Sequence, residues 1–545
     1  MTGEGGTETG EPKAGRSLAR GMTGSQILRH YAPVLIGLVV FAVVATVTPT
    51  RVQTARASAS TTPSSVPAIN YPAGDAPGDP GTSAGGVVCG GSARQVTWSD
   101  YAPLCQPAFP AGAANGGSTS VGVTGDTITL SFRFAATPAE VSLAESLAPG
   151  AIGNEAEAIE SMNDYIKVFN QAYDLYGRHV VLKIYQGTGD VLLETGGQDQ
   201  PQAEADAATA KSLAVFADVS TLFNTTLYDN ALANEGIVSV GGLFQSAPAM
   251  KALAPYEFSP GPDCQQASLS SSAVIGQALA HLPAIYAGDA TTRTKTRVFG
   301  MLIPDTPTYT ECSNTTVSIL ASKYHVKLAG IVRYGLSSLS GTSEAANAIA
   351  QLKTEGVTTV LCACDPLYPI YFTKAADSQD YHPEWQSLGF GDAFSRLPSQ
   401  DQWAHAISGA EATLPQDQQE AYKVFRMVDS NPVPPTYASV YEPLLLFFDA
   451  LQAAGPDLTP QHFAEGFDSL PTSLPGGQFG IWQFAPGTVS PSQSFQMLQW
   501  NPTAVSPQDG IKGTWQVCNA GRVFSYSDPT AGLPSGKQLQ CPIKF

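Results

Sequence analysis

Between Arg297 and Asp392, short apolar runs alternate with helix-spaced segments and end three times on a carboxylate, at Asp305, Asp365 and Asp392. Tyr309 and Tyr368 follow closely behind the first two. Acids and phenols gathered at one edge form half of a ligand-binding cleft; taken singly, each is an ordinary loop carboxylate on an acidic surface. Catalysis would need a different set. The sequence has no G-x-S-x-G, no H-E-x-x-H and no phosphate loop, and its seven histidines are scattered without an acidic or nucleophilic companion. A lone histidine such as His382 is ordinarily structural or solvated. The residue set points to binding without turnover, with no cofactor and no metal.

The elements that would position these groups can be read from periodicity. Arg297-Val-Phe-Gly-Met-Leu-Ile-Pro-Asp305 is β-branched and apolar on both faces, which suits a parallel strand covered by helices on either side. Val317, Leu320, Ala321 and Tyr324 form a helical stripe, with Asn314 as a cap near its start. His325 to Val332 reads as a strand, Ala345, Ile349 and Leu352 as a second helical stripe ended by Gly356, and Val357 to Cys364 as a third strand. This alternation predicts a parallel sheet. Ligands sit beyond the carboxyl ends of such strands, the edge that holds all three aspartates.

At 545 residues, 43% of them hydrophobic, the chain can build two or three cored domains. Its formal charge of −18 argues against a nucleic-acid partner, because phosphate binding needs a basic face. Eight cysteines, mostly far apart, fit an oxidising compartment. Residues 31–50 carry no charge, and about 20 residues at about 1.5 Å each match a bilayer core of about 30 Å. Lys13, Arg16, Arg20 and Arg29 precede this run, so the sequence predicts a cytoplasmic tail over 1–30, a single membrane-spanning anchor over 31–50 and an extracytoplasmic remainder. The alternative is a cleaved signal peptide ending at Ala57-Ser-Ala59.

Residues 51–118 read as a Pro/Ser/Gly-rich stalk followed by a loop stapled between Cys89 and Cys105. Thr127 to Phe134 alternates as a strand, and Ala158, Met162, Tyr165, Phe169 and Ala172 mark one face of a long helix. Strands at Val180–Tyr185, Val215–Val219 and Ile237–Val240 then alternate with helices at Ala203–Ala214 and Thr225–Asn234. The prediction is a second lobe of the same kind. Ser259-Pro-Gly-Pro-Asp263 connects the two, and two lobes on thin connections can hinge. A return helix spans Pro435 to Gly455, Gly476 to Phe484 reads as a strand, and the tail holds Trp515, Phe524 and Tyr526 with Cys518 and Cys541 as a staple. The expected fold is thus α/β, two Rossmann-like parallel-sheet lobes. Lobe one takes 119–262 and 397–473, lobe two takes 263–396 and 474–505, and 506–545 forms a stapled extension.

Four stretches carry a resemblance: Tyr101-Ala-Pro-Leu-Cys-Gln-Pro-Ala-Phe109 with Gly122-Val-Thr-Gly-Asp-Thr-Ile128, Phe169-Asn-Gln-Ala-Tyr-Asp-Leu-Tyr-Gly-Arg178, Asp305-Thr-Pro-Thr-Tyr309, and Tyr437-Ala-Ser-Val-Tyr441. In order and spacing they resemble the type I periplasmic binding proteins of the branched-chain amino acid (Leu/Ile/Val-binding) family, and the first is similar to the opening of actinobacterial members. The resemblance implies a solute-binding protein for an ABC transporter, with a membrane permease as partner. It also implies that lobe one offers hydroxyls and backbone N–H groups to a ligand carboxylate, through Phe223, Asn224 and Thr225 at one helix start and Leu243, Phe244 and Gln245 after the next strand. Lobe two would contribute Tyr309, Tyr368 and an acid, Asp392. A helix start is a ready anion site. Bulky Leu222, Phe223, Leu243 and Phe244 stand where the family has small or hydroxyl residues, so a larger or more apolar solute is as consistent as an amino acid or amide, and the phenylalanines can equally be core.

Cys264 and Cys312 would each start a helix of lobe two and are expected to pair. Cys362 and Cys364 alternate on one strand, and a bridge between them, free thiols or cross-pairing all stay open. A ligand-sensing ectodomain with a separate signalling partner is the second functional reading, since it would use the same cleft.

Overall fold

The computed structural model describes residues 69–135, 155–242, 245–336, 341–435 and 437–544. The anchor expected over 31–50 lies outside them, as do Leu243 and Phe244. Among the described residues no helix is long and apolar enough to cross a membrane. A short antiparallel pair, β1 (Gly81–Thr82) and β2 (Val88–Cys89), comes first and is stapled by Cys89–Cys105.

Lobe one is a five-stranded parallel sheet of β3 (Thr127–Phe134), β4 (His179–Gln186), β5 (Ala217–Asp218), β6 (Val238–Val240) and β7 (Glu257–Phe258). Its spatial order is β4-β3-β5-β6-β7. Helix Glu155–Ala172 buries Ala158, Met162, Tyr165 and Phe169, the stripe expected from periodicity. It packs on helix Tyr437–Ala453, of which all but the first turns are buried. Fully burying one such Leu or Phe side chain stabilises by about 1.5–3 kcal/mol, so this helix alone can anchor the lobe.

Lobe two contains β8 (Phe299–Pro304), β9 (Gly330–Tyr334), β10 (Thr359–Cys362), β11 (Glu384–Ser387), β12 (Ala406–Ala410), β13 (Ser494–Val505), β14 (Lys512–Val517) and β15 (Val523–Ser525). Its path is β14-β13-β12-β11-β10-β8-β9, with β15 paired to β13. The first five in sequence are parallel, and β13 runs antiparallel to β12, β14 and β15. Numbered within each lobe, both parallel sheets have the order 2-1-3-4-5, so the chain repeats one topology.

Several expectations need correction. Because β12 pairs with β11, residues 397–410 belong to lobe two, and the second crossover falls after Ala410. The tail is no appendage: β14 and β15 are strands of the lobe-two sheet, and Cys518–Cys541 closes them. Residues 476–484 form no strand; Trp482 makes only an isolated bridge to Ser492. The helix expected to begin near Asn314 starts at Pro307, capped by Thr306, which accepts the Tyr309 N–H at 3.3 Å. Proline at a first helical turn loses no bond, and an N-cap threonine satisfies a donor that would otherwise be orphaned. The expected Cys264–Cys312 bridge is present, and of the alternatives open for Cys362 and Cys364 the structure has a bond between the two.

The chain crosses between lobes three times, at 259–263, 411–419 and 470–493. The first and third crossings run side by side: Ser259 N–H donates to the Val489 carbonyl at 2.8 Å, and Ser490 Oγ to the Gly261 carbonyl at 2.6 Å. Within lobe two, buried Arg297 pairs with Glu384 at 2.7 Å, and Glu384 also accepts from Tyr286 N–H and Thr359 Oγ1. Removing one partner of such a pair strands the other charge in the interior. Arg297→Met is therefore expected to destabilise lobe two by about 3–5 kcal/mol, measured by chemical denaturation with the lobe-two tryptophans as reporters.

Candidate functional site

The 2-1-3-4-5 order puts the switch point of each sheet between its first and third strands, where the carboxyl ends diverge and leave a crevice. In lobe two this lies beyond β8 and β10. In lobe one it lies beyond β3 and β5. The two edges approach one another, since a Cβ built on Gly197, in the loop after lobe-one helix Val191–Thr195, would sit 3.7 Å from Pro307 Cδ of lobe two. Ala247 N–H of lobe one also donates to Gln265 Oε1 of lobe two at 2.9 Å.

Four of the lobe-two candidates occupy this edge. Asp365, just past β10, is buried and accepts from Leu367 N–H at 2.9 Å, Tyr368 N–H at 3.1 Å and Tyr334 Oη at 2.8 Å. Burial pushes its carboxyl above the usual range, and these donors hold it back. It thereby fixes two aromatic rings: Tyr334 stacks on Tyr368 at 4.6 Å and meets Phe372 at 4.9 Å. Tyr309, in the first turn of helix Pro307–Tyr324, has its phenol pushed up by burial and by the Asp365 charge, so it stays a neutral donor. Asp305 is different. Its carboxylate is 67% exposed and faces Arg333 at 3.7 Å, a surface pair of little energetic weight. Tyr334 was missed by the sequence reading; the signal available was an aromatic at the end of a strand.

Tyr309 also lines a cavity bounded by Met301, Leu361, Ala363, Leu388 and the Cys264–Cys312 bridge, with about 40 Å³ reachable by the centre of a water molecule. Four hydroxyls reach its wall, from Ser268, Ser271, Ser313 and Thr316. Three of them turn back onto helix carbonyls: Ser268 Oγ donates to Cys264 and Cys312, Ser313 Oγ to Thr310, Thr316 Oγ1 to Cys312. What remains facing inward is mostly hydrocarbon and sulfur, a surface that would accept an apolar group.

Asp392 does not join this group. It is buried, accepts Trp515 N–H at 3.1 Å and lies 3.9 Å from Arg396, while Trp515 Nε1 donates to the Phe390 carbonyl and to Ser395 Oγ. Its work is to seat β14. The expected ammonium partner is thus a structural acid, overlooked as such because the pairing partner lies over a hundred residues downstream.

Lobe one also departs from expectation. Thr225 caps helix Thr226–Asn234, and its hydroxyl donates to the buried carboxylate of Glu194 at 2.5 Å. The group expected to meet a ligand carboxylate meets one from its own chain. Glu194 in turn holds Arg133 at 2.9 Å, and Arg133 pairs with Asp206 at 3.1 Å and lies 3.6 Å over the Tyr228 ring. Asn224 donates to Asp229 and Ser239, and Gln245 Nε2 donates to Asp229. Phe223 gives its carbonyl to Arg133 and its ring to Phe134, 4.9 Å away. Asn224, Thr225 and Gln245 are thus bound into an internal polar network, and among the described lobe-one candidates only Phe223 stays partly open. The clue in the sequence was a lone arginine inside the apolar strand Thr127–Phe134.

At the crossovers, Glu420 is buried, accepts from Asp100 N–H at 2.8 Å and from Tyr441 Oη at 3.3 Å, and is lifted by burial from 4.5 to about 7.

The repeated 2-1-3-4-5 lobes, three crossovers and facing carboxyl edges define the type I periplasmic binding protein fold. Solved structures with this fold include a leucine-, isoleucine-, valine-, threonine- and alanine-binding protein from Brucella ovis, 11% identical over 74% of this chain and 96% of that one, with a TM-score of 0.53. A fatty acid ABC transporter substrate-binding protein from Thermomonospora curvata is 12% identical over 79% and 99%, with a TM-score of 0.52. An ABC transporter substrate-binding protein from Aeropyrum pernix is 12% identical over 72% and 95%, with a TM-score of 0.51. No family model and no curated protein matches the sequence.

Two outcomes follow. Asp392→Ala is expected to lower the thermal midpoint and leave solute affinity unchanged, whereas Tyr309→Ala weakens affinity at least about tenfold with a smaller stability loss, read by calorimetry on both variants. Because the folded-state pKa of Glu420 is raised, its contribution to stability is complete below pH 4.5 and is lost as pH rises to about 7. That is about 3 kcal/mol at about 1.4 per unit, and Glu420→Gln should flatten the slope of unfolding midpoint against pH over that window.

Proposed function

We propose that this protein is an extracytoplasmic solute-binding protein that closes its two lobes on a small molecule and presents the closed form to the permease of an ABC-type importer. The observation that carries this reading is the pair of like-ordered sheets whose crevices face each other across three parallel connections. Proteins of the same fold are described as binding branched-chain amino acids, fatty acids and 4-hydroxybenzoate. A solute reaching from the lobe-one edge beside Phe223 to Tyr309 and Tyr368 would have its apolar part in the cavity behind Tyr309. Closure is favoured to the extent that the solute touches both edges at once, which the open form does not allow. A micromolar solute would supply about 8 kcal/mol net of the cost of ordering, within reach of an apolar cavity with a few polar anchors.

We place the protein in the cell membrane, held by the uncharged run at 31–50 as a single span; the chain from residue 69 is already packed on the lobes, as Tyr71 Oη, donating to the Ala453 carbonyl at 2.6 Å, and strand β1 show. The site works by binding alone: its acids hold aromatic rings, β14 and the crossovers, and none of them addresses a nucleophile. Thermal-shift screening of amino acids, amides and aromatic or aliphatic acids, followed by interlobe distance measurement between single labels on the two lobes, tests this. One solute class should raise the midpoint and shorten the interlobe distance without being consumed. Turnover of that solute, or a midpoint shift with no change in distance, would overturn the proposal.

A further inference from the structure

Four disulfides staple the described residues, and they differ in what they close. Cys89–Cys105, Cys264–Cys312 and Cys518–Cys541 join residues 16, 48 and 23 positions apart, whereas Cys362–Cys364 joins residues 2 apart. A cross-link stabilises a fold chiefly by shrinking the unfolded ensemble, an effect that grows with the logarithm of the loop it closes. The shortest bridge therefore adds least to global stability. What it does is fix the path of the backbone from Cys362 through Ala363 to Cys364.

That path lies at the lobe-two switch point. Strand β10 ends at Cys362, paired with Leu302 of β8, while β8 runs on through Ile303 and Pro304 beside β9. Two steps of extended strand would span about 6.6 Å. The Cα atoms of Cys362 and Cys364 are only 4.9 Å apart, so the chain bends at Ala363 and leaves β8 there. Alternation along the strand then gives the bend two faces. Cys362 and Cys364, 2% and 1% exposed, pack in the core cluster that holds Tyr334, Tyr368 and Phe372. Leu361 and Ala363 line the cavity that Tyr309 also lines.

The next residue is Asp365. Its N–H donates to Tyr334 Oη at 3.2 Å, Tyr334 Oη donates back to the carboxylate, and the same carboxylate accepts the N–H groups of Leu367 and Tyr368. The bridged bend thus stands directly before the acid that orders two tyrosine rings, and its outer face forms part of the cavity wall. Hydrogen bonds hold a site only as well as the backbone that presents them. We propose that the Cys362–Cys364 bridge is a positioning element for solute binding: by locking the bend at Ala363 it holds Asp365, the stacked Tyr334 and Tyr368, and the cavity wall in the arrangement a solute meets. This rests on the solute-binding reading and adds that the lobe-two edge is preformed by a covalent link of little weight in the stability of the fold.

The test uses full-length protein with Cys362 and Cys364 both changed to Ala or both to Ser, and, for comparison, with Cys89→Ala and Cys105→Ala, which open a bridge away from this edge. Three quantities are read: the denaturation midpoint, amide exchange over residues 365–372, and calorimetric affinity for L-leucine, L-glutamine, 4-hydroxybenzoate and hexanoate. Both variants at 362 and 364 should keep a midpoint close to the parent's. Their exchange over 365–372 should be at least about tenfold faster, and the compound that binds the parent should bind them at least about tenfold more weakly. The Cys89 and Cys105 variant should lose more of the midpoint and keep both the exchange rate and the affinity. Parent-like exchange in the variants at 362 and 364 would overturn the proposal, as would parent-like affinity in the Ser pair, which nearly preserves side-chain volume. A compound bound with full affinity after the bridge is opened would overturn the positioning role and leave the solute-binding reading intact; failure of every compound to bind the parent would count against both.

Discussion

The hydroxyl of Tyr101 holds the connections on which the two-lobe arrangement depends. It accepts from Phe479 N–H at 2.7 Å and donates to the Gly480 carbonyl at 2.8 Å, and its ring lies 4.4 Å from Trp482. One N-terminal side chain thus fixes the third crossover onto the lobe-one core, where Trp482 is fully buried. The first crossover is tied to the third through Ser259 and Ser490. The first and third connections are thus held together, and three thin connections are all that joins the two lobes along the chain.

The two edges that meet across that hinge differ in character. In lobe one, Arg133, Glu194, Asp206 and Thr225 are hydrogen-bonded to one another in the interior, and Asn224, Asp229, Ser239 and Gln245 form a second network beside them. Such networks give a rigid wall because each member is held by others in low dielectric. In lobe two, Asp365 orders Tyr334 and Tyr368, and Tyr309 stands at the mouth of an apolar cavity. One lobe offers a braced surface and the other a receptive one.

The alternation of strand and helix was legible because each lobe repeats one pattern with clear periods, and the stripe Ala158, Met162, Tyr165, Phe169 is buried as the 3.6 period requires. The expected ends were less secure. Residues 476–484 look like a strand because an aromatic-rich run follows a double-glycine turn, but the rings of Phe479, Trp482 and Phe484 are taken up by the lobe-one core, and the backbone passes between lobes. Residue roles were least visible. Asp392 and Thr225 have the right types at the right strand and helix ends, yet Trp515 and Glu194, which claim them, lie 123 residues after Asp392 and 31 before Thr225. Periodicity carries local order, and only the folded chain shows which of two distant groups reaches a carboxylate first.

The last strands give the molecule a further property. Since β13 runs between β12 and the pair β14 and β15, the sheet of lobe two is completed only by residues beyond Ser494, and lobe one needs helices Glu420–Val428, Tyr437–Ala453 and Pro460–Ser469. Neither half can therefore assemble from a contiguous stretch of nascent chain. Non-local pairing of this kind slows acquisition of structure, so neither sheet is complete until segments far apart in the sequence have met.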